Sequence, residues 1–226
     1  MSALRLAVFD LDHTLLDGDS DQLWCEFLQR CGVLDAAVFG PRNAAMAAGY
    51  RAGTVSVQDF CDFYVGTLAG RSAAEWEAVR QEFLADCVAP SIPRAARQQV
   101  QAHRDAGDLL VLSTATNRYI TELTATFLGF EHLIATECET GADGRFTGRT
   151  QGVLNMREGK VTRLRAWLGE RGQSLEGFEA SVFYSDSAND LPLLQAVREA
   201  VVVNPDARLA DEARRRGWRR LDLLSR

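Results

Sequence analysis

The sequence predicts an α/β fold, in which a parallel sheet carries helices on both faces and an all-helical segment follows the first strand. Three observations support this prediction. Short apolar runs alternate with helical patterns along most of the chain, which is typical of βαβ units. Residues 21–89 have apolar residues at helical spacing and no strand pattern. Residues 6–9, Leu-Ala-Val-Phe, have no polar break, as expected of a strand buried on both faces.

The elements follow from these patterns in order. The first strand is predicted at residues 4–9, and the helical stretch after it is expected to form three to four helices. Beyond Pro93 we expect helices at residues 94–106, 117–128, 160–171 and 190–197. Strands are expected between them at 109–112, 132–136, 181–184 and 200–203, with a hairpin at 139–150. The predicted domains are an α/β core, residues 1–17 and 90–226, and a helical cap, residues 18–89, lying over the end of the first strand.

Composition excludes several classes of protein. The chain has 226 residues, 46% of them hydrophobic, which suffices for a substantial core, and a net charge of -6, which argues against nucleic acid or an anionic membrane as a partner. Its five cysteines are odd in number and form no Cys-x-x-Cys pair, so we expect reduced thiols and no zinc site. Without a signal peptide or a membrane-length apolar run, a cytoplasmic protein is expected. The oligomeric state is left open.

Two carboxylates follow directly on the first strand. Asp10 and Asp12 place like charges at a sheet edge, which is unfavourable unless a cation or a proton compensates. The pair therefore indicates a metal site with a nucleophile and an acid/base group. The alternative is an ordinary Asp-rich turn with Thr14 as a helix N-cap. Strand alternation would point His13 away from the carboxylates, which favours a structural role for it.

Polar residues follow two further predicted strands. Ser113 and Thr114 come after residues 109–112, and Ser-Asp-Ser-Ala-Asn-Asp at 185–190 comes after another strand. In an open parallel sheet, ligands bind at the carboxyl ends of the strands. We therefore expect these groups to meet Asp10 and Asp12 at one edge of the sheet.

The order of these motifs resembles a known family. Asp-x-Asp-x-Thr at Asp10, a hydrophobic strand ending in Ser113, Lys160 at a helix start, and Asp186-x-x-x-Asp190 after a strand are similar to the four motifs of the haloacid dehalogenase superfamily. The match covers nearly the whole chain. Each motif alone is weak, whereas four in the same order make a chance match improbable. The resemblance implies a Rossmann-like parallel-sheet core.

The inserted helices narrow the resemblance to one branch. They look like the cap of the phosphoserine-phosphatase-like branch, subfamily IB, and residues 185–192 are close to its Gly-Asp-Gly-x-Asn-Asp signature. Ser185 and Ser187 depart from that signature, which has glycine at both positions. The branch implies an enzyme that hydrolyses phosphomonoesters.

The resemblance assigns the reacting groups. Asp10 is implied as the nucleophile that forms an aspartyl-phosphate, and Asp12 as the acid that protonates the leaving alkoxide and then deprotonates water. Mg²⁺ suits an all-oxygen site and would bind Asp10, Asp186 and the backbone carbonyl of Asp12. Asp190 would not bind the metal directly and would instead orient a water molecule or Lys160. The alternative for Asp190 is a helix N-terminal acid favoured by the helix dipole.

The phosphate ligands are implied in the same way. Ser113 would bind a phosphate oxygen, helped by the backbone amides of Thr114 and Ala115 at a helix start. Lys160 would neutralise the charge that Asp10 and the phosphate bring together, and Asn189 is a further phosphate ligand. An ordinary N-cap is the alternative for Ser113, and a solvated side chain is the alternative for Lys160.

The substrate is less well specified. Phosphoserine phosphatases carry a Glu shortly after the first motif that contacts the substrate amine, and this chain has Asp17, Asp19 and Asp21 in that neighbourhood. An acid facing the site would favour an amino-bearing phosphomonoester, and Asp19 is the candidate. Asp19 would equally serve as an N-cap of the first cap helix. Arg51 is a candidate for a substrate carboxylate, with a solvated arginine as the alternative.

The predicted function is therefore a Mg²⁺-dependent phosphomonoesterase acting on a small soluble metabolite, phosphoserine-like or histidinol-phosphate-like. A phosphotransferase or mutase using the same aspartyl-phosphate is the alternative. A phosphatase of lipid head groups is less favoured because the sequence lacks an apolar anchor.

Overall fold

The computed structural model describes residues 4–224, with Arg51 described by its backbone only. Its centre is one seven-stranded sheet with strand order β4-β3-β2-β1-β5-β6-β7. The strands are β1 (Arg5–Phe9), β2 (Leu109–Asn117), β3 (His132–Thr140), β4 (Phe146–Gln151), β5 (Ala180–Ser185), β6 (Glu199–Val203) and β7 (Arg219–Leu221). All neighbouring strands are parallel except β3 and β4, which form an antiparallel hairpin.

Nine α-helices are described within residues 4–224, and five of them lie between β1 and β2, four of these within the predicted cap. They are α1 (Ser20–Arg30), α2 (Ala36–Arg51), α3 (Val57–Val65), α4 (Ala73–Phe83), α5 (Arg94–Asp105), α6 (Arg118–Leu128), α7 (Glu158–Gly169), α8 (Leu191–Ala196) and α9 (Ala207–Arg216). A π-helical turn, Leu84–Val88, continues α4. Within this described range, no helix is both long and apolar enough to cross a membrane.

The first strand lies at the middle of the sheet. Phe9 is paired with Leu112 of β2 on one side and with Tyr184 of β5 on the other. The chain runs outward from β1 through β2 and β3 in one direction, and through β5, β6 and β7 in the other. The order of the strands therefore reverses at β1, which is where open α/β sheets bind ligands. The predicted α/β class with a parallel sheet is confirmed.

Alternation along β1 separates two apolar layers. Ala7 and Phe9 face a cluster that contains side chains of α5 and α6, whereas Leu6 and Val8 face a cluster formed with α7, α8 and α9. The four side chains have almost no exposed surface. Because both faces are covered, the strand has the continuous apolar run that a two-sided buried strand requires.

The inserted helices are divided between two clusters. Trp24 of α1 and Trp76 of α4 belong to the same apolar cluster as Phe9 of the sheet. A separate, smaller cluster contains Phe39 of α2 and Tyr64 of α3 together with Cys25 of α1. The cap boundaries at residues 18–89 remain a prediction. The helices fall within them, yet two of the four are packed into the core of the sheet.

The end of β2 differs from the expectation. The strand was predicted to stop at residue 112 but continues to Asn117, and α6 begins only at Arg118 with Asn117 as its N-cap. The pairing of β2 with β3 shifts register between Ser113 and Asn117. This irregularity lets the strand continue through a polar segment. The amides of Thr114 and Ala115 are consequently not at a helix start, and that prediction is wrong.

The C-terminal end contains two elements that were not predicted, α9 and β7. The basic residues Arg214, Arg215 and Arg216 form the last turn of α9, where cations are favoured by the helix dipole. Arg214 pairs with Asp211, and both Arg215 and Arg216 pair with Glu212. The cluster is therefore explained by local ion pairs.

Candidate active site

A buried ammonium group joins two of the predicted acids. The Nζ of Lys160 donates to Oδ1 of Asp10 at 2.8 Å and to Oδ2 of Asp190 at 2.7 Å. Lys160 is 2% exposed and is the only lysine of the chain. A buried ammonium requires such charged partners, because desolvation alone would disfavour its charge. The alternative of a solvated lysine is thereby excluded.

The local fold brings Lys160 to this position. It is the third residue of α7, directly after Gly159. A Cβ atom at Gly159 would collide with the backbone carbonyl oxygen of Leu154, so only glycine permits this close approach. The first turn of α7 can therefore approach the preceding loop and direct Lys160 into the sheet edge.

Asp190 is oriented toward the lysine rather than toward its own helix. It stands at the N-cap of α8 but makes no side-chain capping hydrogen bond. Its Oδ2 instead accepts from Lys160 and, at 2.7 Å, from the hydroxyl of Ser185. Because the carboxylate of Asp190 binds Lys160 and not the backbone of α8, Asp190 is not simply an acid favoured at a helix N-terminus.

Asp10 and Asp190 compete for one ammonium. Burial raises the pKa of Asp10 to about 7, against the lowering effect of Lys160, and the negative charge of Asp190 raises it further. The same pair of carboxylates raises the pKa of Lys160 and keeps the ammonium charged despite its burial. The site therefore holds more negative charge than its single ammonium balances.

Asp186 adds to this excess. Burial raises its pKa to about 9, and the charges of Asp10 and Asp190 act in the same direction. The hydroxyl of Thr14 approaches Oδ1 of Asp186 at 3.3 Å, so Thr14 secures this loop instead of capping a helix. These neighbours supply no positive charge beyond that of Lys160. The electrostatics therefore fit a cation bound next to Asp10 and Asp186.

The donor set fits magnesium. Among residues 4–224, no three His, Cys, Asp or Glu side chains form a metal cage by themselves. Magnesium does not need one, since it commonly takes one or two carboxylates and completes its shell with water and substrate oxygens. The carboxylates of Asp10 and Asp186 and the backbone carbonyl of Asp12 would be its protein ligands.

Asp12 is held separately from the lysine. Its Oδ1 accepts from the backbone N–H of Ser20 at 2.7 Å, and its Oδ2 accepts from the hydroxyl of Thr116 at 2.8 Å. Ser20 is the first residue of α1, so the inserted helices fix one oxygen and β2 fixes the other. Two carboxylates two residues apart thus have different partners, as a nucleophile and an acid/base group require.

Ser113 is not among the residues that line the cavity. Its side chain is fully buried, and its Oγ accepts from Nδ2 of Asn155 at 3.1 Å. Thr114 is likewise buried, with its Oγ1 accepting from the backbone N–H of Thr116. The cavity is lined at this strand by Ala115 and Thr116 instead. Ser113 and Thr114 are not among the residues that line the cavity, and their phosphate contacts stay a prediction.

One cavity of about 260 Å³ contains the remaining predicted groups. Asn189 lines it, and its Nδ2 donates to the hydroxyl of Tyr50 at 3.3 Å. Tyr50 belongs to α2, and its ring is stacked on that of Phe60 of α3 with centroids 4.2 Å apart. The lining residues are Asp10, Asp12, His13, Asp19, Asp21, Gln22, Ala47, Tyr50, Phe60, Cys61, Ala115, Thr116, Met156, Lys160, Asp186, Ser187, Asn189 and Asp190.

Asp19 serves as the N-cap of α1. Its Oδ1 accepts from the backbone N–H of Gln22 at 2.9 Å, and its Oδ2 is 3.3 Å from the side-chain nitrogen of the same residue. Burial and the charge of Asp12 raise its pKa to about 6. These hydrogen bonds support the capping interpretation. Asp19 also lines the cavity, and its part in substrate specificity remains a prediction. The side chain of Arg51 lies outside the described part of the structure.

His13 does not point away from the site. It is exposed and lines the cavity together with Asp10 and Asp12. Its φ of 55° is left-handed, and its backbone N–H donates to the carbonyl of Gly18 at 3.0 Å. The alternation of an extended strand therefore stops before His13, and the expected orientation is wrong.

Sequence reasoning missed several residues of this site. Thr116 and Ser20 hold Asp12, and Tyr50 contacts Asn189. A hydroxyl three residues beyond Ser113 was a visible signal for Thr116. The single lysine of the chain was an unused signal for Lys160.

Comparison with known proteins agrees with this geometry. Residues 7–195 match the family model described as haloacid dehalogenase-like hydrolase. A Neisseria meningitidis protein named histidinol-phosphatase is 42% identical over 214 residues, 95% of this chain and 96% of that protein. A Mycobacterium tuberculosis protein named phosphoserine phosphatase SerB1 is 34% identical, over 94% of this chain and 68% of its own length.

A solved structure is also similar. A Bordetella pertussis protein of unknown function superimposes with a TM-score of 0.95 at 44% identity, covering 98% of this chain and 100% of that one. The family match spans most of the sheet and all four motifs, and the relatives match nearly the whole chain. The chain therefore belongs to the haloacid dehalogenase-like hydrolase family, among the phosphatases of its phosphoserine-phosphatase-like branch.

Proposed function

We propose that this protein is a Mg²⁺-dependent phosphomonoesterase that works through an aspartyl-phosphate on Asp10. The observation that carries the proposal is the buried Lys160 between Asp10 and Asp190, with Asp186 beside them. A purely structural ion pair would balance its charges. Here two carboxylates contact one ammonium and the charge of a third, Asp186, interacts with them, so the excess negative charge is suited to a metal ion.

The residues have distinct tasks in the proposed reaction. A carboxylate oxygen of Asp10 forms a bond to phosphorus while the bond from phosphorus to the alkoxide breaks. Lys160 contacts Oδ1 of Asp10, which fixes the orientation of the nucleophile and offsets negative charge as the phosphoryl group approaches. Ser185 and Asp190 position Lys160. Magnesium, when bound, supplies further charge compensation for the phosphoryl oxygens.

Asp12 handles the proton. It donates a proton to the leaving alkoxide and, in the second half, takes one from the water that attacks phosphorus, so Asp10 is regenerated and phosphate leaves. Its contacts with Ser20 and Thr116 hold it in place without using Lys160. Ala115, Thr116 and Asn189, which line the same cavity, are proposed to contact the phosphoryl group.

The lining favours an amino-bearing substrate. Asp19 and Asp21 face the cavity, which suits a cation, and Tyr50 and Phe60 supply an aromatic wall. In the described part of the chain, no arginine and no lysine other than Lys160 lines the cavity. The guanidinium of Arg157 is 6.0 Å from the centroid of the Tyr50 ring, so a phosphate ester with a carboxylate, such as phosphoserine, is the second candidate substrate. Histidinol phosphate, an amine with an imidazole ring, fits the acidic and aromatic side chains of the lining.

The relatives also support histidinol phosphate as the substrate. The relative with 42% identity over almost the full length of both chains is named histidinol-phosphatase, whereas the one named phosphoserine phosphatase has 34%. We propose histidinol phosphate as the first substrate to test. The proposed cap, residues 18–89, supplies the aromatic and acidic side chains and so determines specificity.

Phosphate release tests the proposal directly. The wild-type protein is assayed with histidinol phosphate, phosphoserine and glycerol 3-phosphate, each with magnesium and with EDTA. We expect magnesium-dependent release that is fastest for histidinol phosphate and is lost in Asp10→Asn, with the fold of the variant checked by circular dichroism. Release that persists in Asp10→Asn, or in EDTA, would refute the mechanism. Transfer of phosphate to an added alcohol in place of release would indicate a phosphotransferase.

A further inference from the structure

The hydroxyl of Tyr50, near the end of α2, contacts two segments that belong to the sheet and its covering helices. It accepts from Nδ2 of Asn189 at 3.3 Å and donates to Sδ of Met156 at 3.1 Å. Asn189 follows β5, and Met156 precedes α7. One side chain of the inserted helices therefore contacts both segments that neighbour the ion pair of Lys160 and Asp190.

The ring of Tyr50 is held independently of its hydroxyl. It is stacked on Phe60 of α3 with centroids 4.2 Å apart, and the guanidinium of Arg157 lies 6.0 Å from its centroid. Burial raises the pKa of Tyr50 above its ordinary value, so the phenol keeps its proton at neutral pH. The hydroxyl can therefore donate to Met156 while its oxygen accepts from Asn189.

Asn189 is fixed from two different parts of the fold. Its backbone N–H donates to Oγ of Ser187 at 3.2 Å, within the turn that follows β5. Its side-chain amide contacts Tyr50 of the inserted helices. The turn thus sets the position of the backbone, and α2 sets the direction of the amide.

This direction matters because Asn189 lines the same cavity as Asp10 and Lys160. An amide nitrogen carries two hydrogens, so Nδ2 can donate to Tyr50 and to a phosphate oxygen at the same time. A side chain that is already oriented also loses less conformational entropy when a ligand binds. The alternative is that nearby polar atoms merely satisfy the hydroxyl of Tyr50, as is usual for enclosed hydroxyls.

We propose that Tyr50 is a positioning residue that holds the side chain of Asn189 toward the phosphoryl group, so that the phosphate site is complete only with α2 in place. The two contacts of the Tyr50 hydroxyl and the stacking of its ring on Phe60 carry this inference. It rests on the proposed phosphatase function and deepens it. Tyr50 would act on the phosphoryl part that all substrates share.

A double-mutant cycle tests whether Tyr50 acts through Asn189. Binding of inorganic phosphate in the presence of magnesium is measured by calorimetry for wild type, Tyr50→Phe, Asn189→Ala and the double variant. Tyr50→Phe keeps the stacked ring and should raise Kd about 5- to 10-fold, as expected for one lost hydrogen bond. The double variant should bind phosphate no more weakly than Asn189→Ala. Effects that multiply, or a Tyr50→Phe protein that binds like wild type, would overturn the proposal.

Turnover of two esters separates this role from recognition of the leaving group. Histidinol phosphate and glycerol 3-phosphate share only the phosphoryl group, so Tyr50→Phe should lower kcat/KM for both by factors that agree within about 2-fold. A fall confined to histidinol phosphate would show that the hydroxyl contacts the leaving group, and the positioning role would be wrong.

Tyr64→Phe is the matched control for the loss of a hydroxyl. Tyr64, on α3, donates to Oδ1 of Asn43 at 3.0 Å and is not among the residues that line the cavity. The control is expected to lower the melting temperature while Kd for phosphate and both kcat/KM values stay within about 2-fold of wild type. Equal weakening of phosphate binding in Tyr64→Phe and Tyr50→Phe would mean that loosened helices, and not Asn189, explain the effect.

The failure of this proposal can be told apart from failure of the proposed function. Phosphate binding does not require turnover, so the expected coupling between Tyr50 and Asn189 in a wild-type protein that hydrolyses no ester would support the positioning role and refute the phosphatase. Normal magnesium-dependent release by wild type, together with independent effects of the two substitutions, would overturn the role of Tyr50 and leave the phosphatase function intact.

Discussion

Replacing Lys160 with methionine removes the only ammonium that compensates the acids of the site. Methionine keeps an unbranched stem of similar length, so the change is mainly one of charge and of two hydrogen bonds, to Asp10 at 2.8 Å and to Asp190 at 2.7 Å. The carboxylates remain buried after the substitution. Lys160→Met is therefore expected to impair both stability and activity.

The size of the effect follows from burial. Removing one partner of a buried ion pair costs about 3–5 kcal/mol, because the remaining charge has neither water nor a partner. For a chain of this size, that corresponds to a fall in the melting temperature of roughly 6–20 °C, at about 2–4 °C per kcal/mol. The loss should be smaller at pH 5, since the pKa of Asp10 is raised to about 7 and a protonated Asp10 does not need the ammonium.

The assay combines thermal unfolding at pH 5 and pH 8 with magnesium-dependent phosphate release. Loss of charge neutralisation at the phosphoryl group is expected to lower kcat by about 100-fold or more. Arg165→Met is the control, because it removes a cation from an exposed ion pair with Glu176 on the same helix and should change stability by less than about 1 kcal/mol. A Lys160→Met protein as stable as the control at pH 8, or fully active, would refute the reasoning.

Three further predictions concern the supports of the site. Thr116→Val removes the hydroxyl that donates to Asp12 and should lower kcat about 10-fold or more, while Thr116→Ser retains it; equal activity of the two variants would contradict this role. Gly159→Ala should reduce both activity and the free energy of unfolding, measured by urea denaturation, whereas Gly169→Ala, in open space on the same helix, should be neutral or stabilising by about 0.5–1 kcal/mol. An undisturbed Gly159→Ala protein would show that the contact is not tight. Finally, the pKa of Asp186 is raised from 3.8 to about 9, so the folded state binds more protons than the unfolded state between these values, and stability without magnesium should fall as pH rises from 4 to 9. Magnesium should reduce that fall, and a metal-free protein that gains stability over this range would disprove the assignment.

The sequence was most informative where one physical constraint dominated. An apolar run followed by Asp10 and Asp12 indicates a strand buried on both faces that ends in a pair of acids, and the motifs further along the chain favour this over an ordinary turn. The alternation of helices and strands then placed Asp186 at the same edge of the sheet. The α/β class and the family were predictable for these reasons.

Prediction failed where long-range pairing overrode local signals. Ser113 and its polar neighbours suggested the end of a strand, but pairing with β3 across a register shift extends β2 to Asn117. His13 was expected to follow strand alternation, whereas a left-handed φ turns it toward the cavity. Asn155, which holds the hydroxyl of Ser113, belongs to no recognisable motif. Such contacts depend on the whole fold and leave no local pattern.

The division of the inserted helices between two apolar clusters has a consequence for how new substrate preferences could arise. Trp24 on α1 and Trp76 on α4 are packed with the central sheet, so α1, which bears the acid Asp21, cannot be exchanged without rebuilding that sheet's packing. The helices α2 and α3 form a smaller cluster with Cys25 of α1 and supply Tyr50 and Phe60 to the cavity. Substitutions on α2 and α3 therefore disturb the packing of the sheet less than substitutions on α1, and new substrate shapes can arise there first.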